Sequence, residues 1–404
     1  MGRLAGSRAL SAEDRCVLLL ARGTSTPTLE ARARALLAVP LAWPTVLRQA
    51  HRHAVTPLLG RSLARLGWPG VPGHVRAELE LGDRRNAARN ALLARELGEL
   101  LARCRERGVP AIPLKGVTLA ERLYGDPSLR ECHDIDVLVP TDAIPKAWEL
   151  LAAAGYAPAA DPAPRSDDAA WLRATMSACA FVRQHREFRY VIDLHWHVAW
   201  RWPAEAAALT DLWAEARSVP FHGGEAWALS PEWEFLFLVV HAARHRWQPL
   251  KWLVDMHEIC QHGVVDWGKL KVKATTFGLE RILALTLGAC HTLLGTEVPA
   301  GLPHEPPPAW LPLFPDPPPV PDVWTDSVFP ARLFPRRGQK LGYLARVAFG
   351  PTLQDRAVLR LPPALDAFYY CVRPVRLAGK LGRTLAGWGA ATVRGARRAA
   401  AVPS

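Results

Sequence analysis

Residues 134–139, Asp134-Ile135-Asp136-Val137-Leu138-Val139, constrain this chain more than any other stretch. The run is short, β-branched and closed by Pro140, so it reads as a strand. Residues i and i+2 of a strand share a face, which sends Asp134 and Asp136 out side by side. Before it, residues 109–114 form a short apolar run read as another strand, followed by Lys115-Gly116. Residues 117–124 read as a helix stopped by Gly125-Asp126-Pro127. Residues 144–154 read as a second helix, with Thr141-Asp142 as its cap and Gly155 as its end. Residues 109–155 are thus strand, helix, strand, helix.

The surroundings are mainly helical. Residues 43–66 place apolar side chains at three- and four-residue steps, and residues 75–104 read as one long amphipathic helix stopped at Gly108. Residues 181–187 and 188–198 read as a hairpin with its turn near Gln184-His185-Arg186. Helices resume at Pro231 behind the cap Ser230, continue through Cys260, and return over 270–294. Ten prolines within 301–322 mark an extended linker or lid. The expected fold class is α+β: a small mixed β-sheet core (strand-helix-strand-helix plus hairpin) embedded in a mainly helical chain. The expected divisions are an N-terminal helical region over 1–107, the α/β core over 108–222, a helical region closing the site over 223–300, the linker over 301–336 and a basic helical segment over 337–404.

Half of the 404 residues are hydrophobic and 22% are charged, the balance of a folded chain and not of a disordered one. Seven scattered cysteines, none in a C-x-x-C pair, argue against a disulfide framework or a structural zinc site. With no apolar leader at the start and no apolar run long enough to span a bilayer, the expected location is the cytoplasm. The formal charge is +12, and seven Lys or Arg residues with no acid follow Asp366, from Arg373 to Arg398. A solvated, frayed terminus accounts for such a tail. Residues 375–393 also mix Leu, Val and Trp388 with cations as interfacial helices do, so peripheral contact with an anionic membrane is the other reading.

Two carboxylates on one strand face repel unless a cation sits between them. Magnesium, a hard ion that prefers oxygen, suits the pair. On its own a D-x-D pair is as often a solvated strand face. Here Lys115-Gly116 adds a charge and a glycine at a strand-to-helix junction, where backbone N–H groups approach phosphate. Asp193 adds a lone acid inside the apolar strand 190–196, costly to bury without a partner. His241 and His245, four apart on one helix, have zinc-like spacing, but only Asp255 or His257 follows as a third ligand.

Strand, glycine turn, helix, acidic strand and a later strand with one more acid resemble the DNA polymerase beta-like nucleotidyltransferases. The chain resembles more closely a bacterial family of uncharacterised nucleotidyltransferases. The residues concerned are Leu114-Lys115-Gly116, Leu123-Tyr124-Gly125, Arg130, residues 134–139, and Ile192-Asp193-Leu194-His195-Trp196. His241, His245, Trp247, Leu250-Lys251-Trp252-Leu253 and Asp255 extend the likeness, as do Pro351, Asp355-Arg356, Leu361-Pro362 and Arg373-Pro374. The wider superfamily has Gly-Ser or Gly-Gly where this chain has Gly116-Val117, and a shorter gap to the first acid.

The resemblance implies transfer of a nucleoside monophosphate from an NTP to an acceptor, with two Mg2+ ions, or Mn2+ in their place. Asp134, Asp136 and Asp193 would hold the ions and act in catalysis. Lys115, Gly116 and Arg130 would bind the nucleotide, although a salt bridge to Asp134 or Asp136 serves Arg130 equally. His195, His241, His245 and Asp255 would form the active-site wall. The acceptor is a small molecule, a saccharide or a protein. RNA as acceptor, or a nucleotide-binding regulatory protein of weak turnover, are the alternatives; no basic stripe interleaved with aromatics favours nucleic acid.

Overall fold

The computed structural model describes residues 10–160, 163, 169–198, 204–221, 224–308 and 328–379. The chain opens with four short helices, α1 (Ala12–Leu20), α2 (Pro27–Leu37), α3 (Trp43–Arg52) and α4 (Thr56–Leu66). Residues 43–66 form two helices because the chain turns between them, with Ala54 at φ 53°. The 34-residue α5 (Gly73–Glu106) follows, about 50 Å long at 1.5 Å per residue. Its first half packs among α1–α4 through Val75 and Leu79, its second against the sheet through Leu93, Leu97 and Leu101. One helix therefore spans both buried clusters and fixes their relation.

The core is built from β1 (Ile112–Pro113), α6 (Val117–Tyr124), β2 (Ile135–Leu138), α7 (Ile144–Ala153), β3 (Ala157–Pro158), α8 (Ala169–Thr175), β4 (Ala178–His185) and β5 (Phe188–His195). The sheet order is β1-β2-β5-β4-β3, with β2 and β5 parallel and the other pairs antiparallel. This is the expected α+β class with a small mixed sheet. All four residues of β2 are buried, so this interior strand is covered on both faces. The hairpin turns at Arg186-Glu187, with Arg186 at φ 53°. The run at 109–114 is a strand only at Ile112–Pro113, extended by the Leu114 N–H donating to the Asp136 carbonyl at 3.0 Å. The cap expected at Thr141-Asp142 does not form: Ala143 is the N-cap residue of α7, with no side-chain hydrogen bond.

Beyond the sheet come α9 (Glu205–Glu215) and an unforeseen two-stranded sheet, β6 (Arg217–Phe221) and β7 (Gly224–Ala228). Then α10 (Pro231–Arg244), α11 (Lys251–His262), α12 (Trp267–Thr276) and α13 (Glu280–Leu294) pack on one another and on α1. Ser230 caps α10, its hydroxyl accepting from the Trp233 N–H at 3.4 Å. Glycine at φ 69° separates α12 from α13 at Gly278, where continuous helix over 270–294 was expected. α14 (Arg337–Phe349) and α15 (Leu353–Val358) follow. Most of the proline-rich linker and the tail from Lys380 lie outside the described residues, as does most of the stretch read as interfacial. No helix among the described residues is long and apolar enough to cross a membrane. All seven cysteines are free thiols.

Candidate active site

The parallel pairing of β2 with β5 builds the site. It sets Asp136 opposite Asp193 and Leu138 opposite His195 in register. Since 193 and 195 share a face of β5, the imidazole lies beside both carboxylates. Donor atoms of Asp136, Asp193 and His195 all lie within 4.8 Å of one another. His195 Nε2 is 3.1 Å from Asp136 Oδ1. Asp136 is only 3% exposed, and its Oδ2 is the atom that faces the Lys115 ammonium.

Lys115 supplies the counter-charge. It is buried at the end of β1, forms an ion pair with Asp136, and reaches Asp134 Oδ1 at 3.4 Å. Asp134 itself precedes the strand, which begins at Ile135, and its side chain is 34% exposed. The structure thus gathers Asp136, Asp193 and His195 into one donor group and sets Asp134 at its rim, held by Lys115.

The two central acids titrate in opposite directions. Burial alone would raise the Asp136 carboxyl; Lys115 and the His195 hydrogen bond outweigh it and hold it below the ordinary range. Asp193 is raised to about 6, first by burial and then by the negative charge of Asp136. Burial also pulls Lys115 down, but Asp136 and Asp134 together hold it above its usual value and charged.

Gly116 follows Lys115 as the N-cap residue of α6, at φ 80° and ψ −132°. That backbone is strained for any residue with a Cβ, whereas the space around it is open apart from the Asp134 carbonyl at 3.7 Å. The glycine serves the turn, and the N-terminal N–H groups of α6 lie next to Lys115.

Arg130 takes a different position from the phosphate ligand expected of it. It is buried, and its Nε donates to Asp255 Oδ1 at 3.2 Å and Oδ2 at 3.0 Å. Tyr124 donates its hydroxyl to Asp255 Oδ1 at 2.9 Å. Asn90 on α5 donates to the Arg130 carbonyl at 2.8 Å, and Asn86 to the same oxygen at 3.2 Å. The salt-bridge alternative describes Arg130, with Asp255 in place of the strand acids. Burial would lower the guanidinium; Asp255 more than offsets it. Asp255 is therefore tied to α6 and to the segment leading into β2.

His241 and His245 end α10, their rings 4.9 Å apart and each packed on Trp252, at 4.7 and 4.9 Å. They form no metal cluster with any third residue among those described. His241 is held well below its usual value, chiefly by burial and then by the Lys115 charge. The charges of Lys115 and Asp136 both act on it. Arg244 escaped the sequence reading as a site residue. It is exposed and makes no hydrogen bond or ion pair among the described residues, and Asp193 is close enough to act on its charge. Its position one residue before His245 was the available signal.

Residues 40–295 match the model of a family described as uncharacterised nucleotidyltransferase. No curated protein matches the chain. Among solved structures, an antigenic nucleotidyltransferase-like protein from Paracoccidioides brasiliensis aligns at 11% identity and a TM-score of 0.30. The alignment covers 53% of this chain and 93% of that one. With 256 of its 404 residues inside the matched region, the chain belongs to the uncharacterised nucleotidyltransferase family.

Proposed function

We propose that the protein transfers a nucleoside monophosphate from an NTP to an acceptor hydroxyl and releases pyrophosphate. The observation that carries this reading is Asp136 set against Asp193 across two parallel strands, beside a lysine and a glycine-started helix. The donors fit a divalent cation: two carboxylates converge with a nitrogen, their donor atoms within 4.8 Å of one another. When bound, Mg2+ or Mn2+ polarises the phosphoryl oxygens and eases loss of the acceptor proton. Asp136 and Asp193 would hold it. Asp134, exposed at the rim, would join them for a second ion.

The remaining roles belong to side chains. The acceptor oxygen bonds to the α-phosphorus, the bond from that phosphorus to the bridging oxygen breaks, and pyrophosphate leaves with the electron pair. Asp193, set opposite Asp136 on the neighbouring strand, would receive the hydroxyl proton. Lys115 and the first N–H groups of α6 hold the β- and γ-phosphates. Arg244, which has no ion pair among the described residues and feels the Asp193 charge, would take the neutralising role expected of Arg130. Arg130 and Asp255 position the segment that carries Asp134, and His241 and His245 wall the nucleotide.

Calorimetry of ATP, GTP, CTP and UTP with Mg2+ tests this reading, with Asp136→Asn alongside. Binding that needs the ion and disappears in the variant supports it. Absence of binding for every NTP refutes it.

A further inference from the structure

The resemblance implies an all-carboxylate site that holds Mg2+ or, in its place, Mn2+, yet this chain's donors depart from the all-carboxylate pattern. Asp134 stands outside the strand, a third exposed, with Lys115 as its partner. The position beside Asp136 and Asp193 is taken by an imidazole. Three independent constraints put it there. The parallel register fixes residue 193 opposite 136, strand alternation brings 195 onto the same face, and burial fixes the ring. Nε2, and not a ring carbon, points at Asp136, at 3.1 Å. In the ion-free protein Nε2 donates to Asp136; an ion bound between them would take the place of that proton, the tautomer shifting to Nδ1–H so that the Nε2 lone pair meets the ion beside both carboxylates.

We propose that His195 is a direct metal ligand, that it replaces Asp134 in the principal coordination set, and that the resident ion is Mn2+ and not Mg2+. The proposal deepens the nucleotidyl-transfer reading by naming the ion and its ligands, and rests on that reading for its role. Mg2+ demands oxygen ligands and releases its waters reluctantly. A nitrogen donor gains little with such an ion and more with a first-row transition ion, for which Mn2+ also accepts carboxylates. A buried Asp-Asp-His set therefore favours Mn2+ by the chemistry of one ligand. Asp134 then serves the rim, where it keeps Lys115 in place or takes a second, more weakly held ion.

Pulsed electron paramagnetic resonance of Mn2+ on the full-length protein, without nucleotide, tests the ligand assignment. The expected result is modulation from a directly bound nitrogen that changes its pattern in protein labelled with 15N-histidine and vanishes in His195→Gln. Titration should show Mn2+ binding at least about tenfold more tightly than Mg2+, with the ratio collapsing towards one in the variant. Mn2+ that binds without nitrogen modulation, equal affinity for the two ions, or no Mn2+ binding at all overturns the proposal. The isotope label reads the ligand in the wild-type protein, so the test survives a variant that fails to fold. Nitrogen coupling without any NTP binding would leave the metal site standing while the transferase reading fell. NTP binding without nitrogen coupling would do the reverse.

Discussion

Two buried acids, Asp136 and Asp255, sit in the same part of the molecule and have opposite uses. Asp255 is completely buried and receives two hydrogen bonds from the Arg130 Nε and one from Tyr124. Asp136 is nearly as buried, but it faces Asp193 and depends on a lysine and an imidazole for balance. The first is a one-to-one pair, a planar guanidinium matched to a carboxylate with Arg130 Nη2 3.0 Å from Asp255 Oδ2. The second cluster is open. It carries more acid than its fixed cations neutralise. Burial alone does not mark function; the chemistry left over after the partners are counted does.

That contrast is sharpest in substitution. Asp136→Asn is expected to lower nucleotidyl transfer by about 10³-fold or more, since the phosphoryl-stabilising charge is lost, while stability falls less than in Asp255→Asn because Asp134 remains as a counter-charge for Lys115. Asp255→Asn should do the opposite. It leaves Arg130 buried without its counter-charge, a cost of about 3–5 kcal/mol, visible as a large drop in denaturant midpoint. Equal loss of stability in both variants would break the distinction.

A third measurement uses pH. In EDTA, the folded chain holds a proton on Asp193 between about pH 4, where an unfolded aspartate titrates, and pH 6. The stability tied to that group is fully present below this window and is lost as pH rises through it. Asp136, with its lowered value, contributes with the opposite sign, gaining above pH 4 and losing as pH falls. Asp193→Asn should therefore remove the falling limb and make the ion-free protein more stable than wild type at pH 7, although inactive. Identical unfolding profiles from pH 4 to 7 would contradict the raised value.

The smallest expected effect concerns the counter-charge itself. Lys115→Met should bind Mn2+ more tightly in the absence of nucleotide, by a few-fold, and bind NTP more weakly. A loss of both affinities would mean that the lysine organises the carboxylates and does not compete for them.

Much of this was legible in the primary structure because it is local. The alternation of strand and helix over 109–155, the long α5 and the Ser230-Pro231 start of α10 depend on spacing, capping and breakers. Pairings across long separations were not. Nothing near Arg130 announces Asp255, 125 residues on, and the tyrosine that completes the pair is read locally as a helix end. His195 was visible as sharing a face with Asp193, but its closeness to Asp136 depends on β5 pairing in parallel with β2, which a sequence does not display. The β6–β7 sheet was missed because Arg217, Ser218, Val219 and Pro220 are all exposed and leave no apolar alternation, and proline speaks against a strand.

Lys115 lends the ion-free protein a charge of the right sign in the right place. A site of converging carboxylates without such a residue would push its strands apart whenever metal ran short. With Lys115 paired to Asp136 and Asp134, an ion-free chain keeps those charges balanced. On the proposed reading, scarcity of the ion would leave that lysine occupied, and abundance would release it for the nucleotide. Metal availability would thus set the fraction of molecules ready to react, a rheostat made from one side chain.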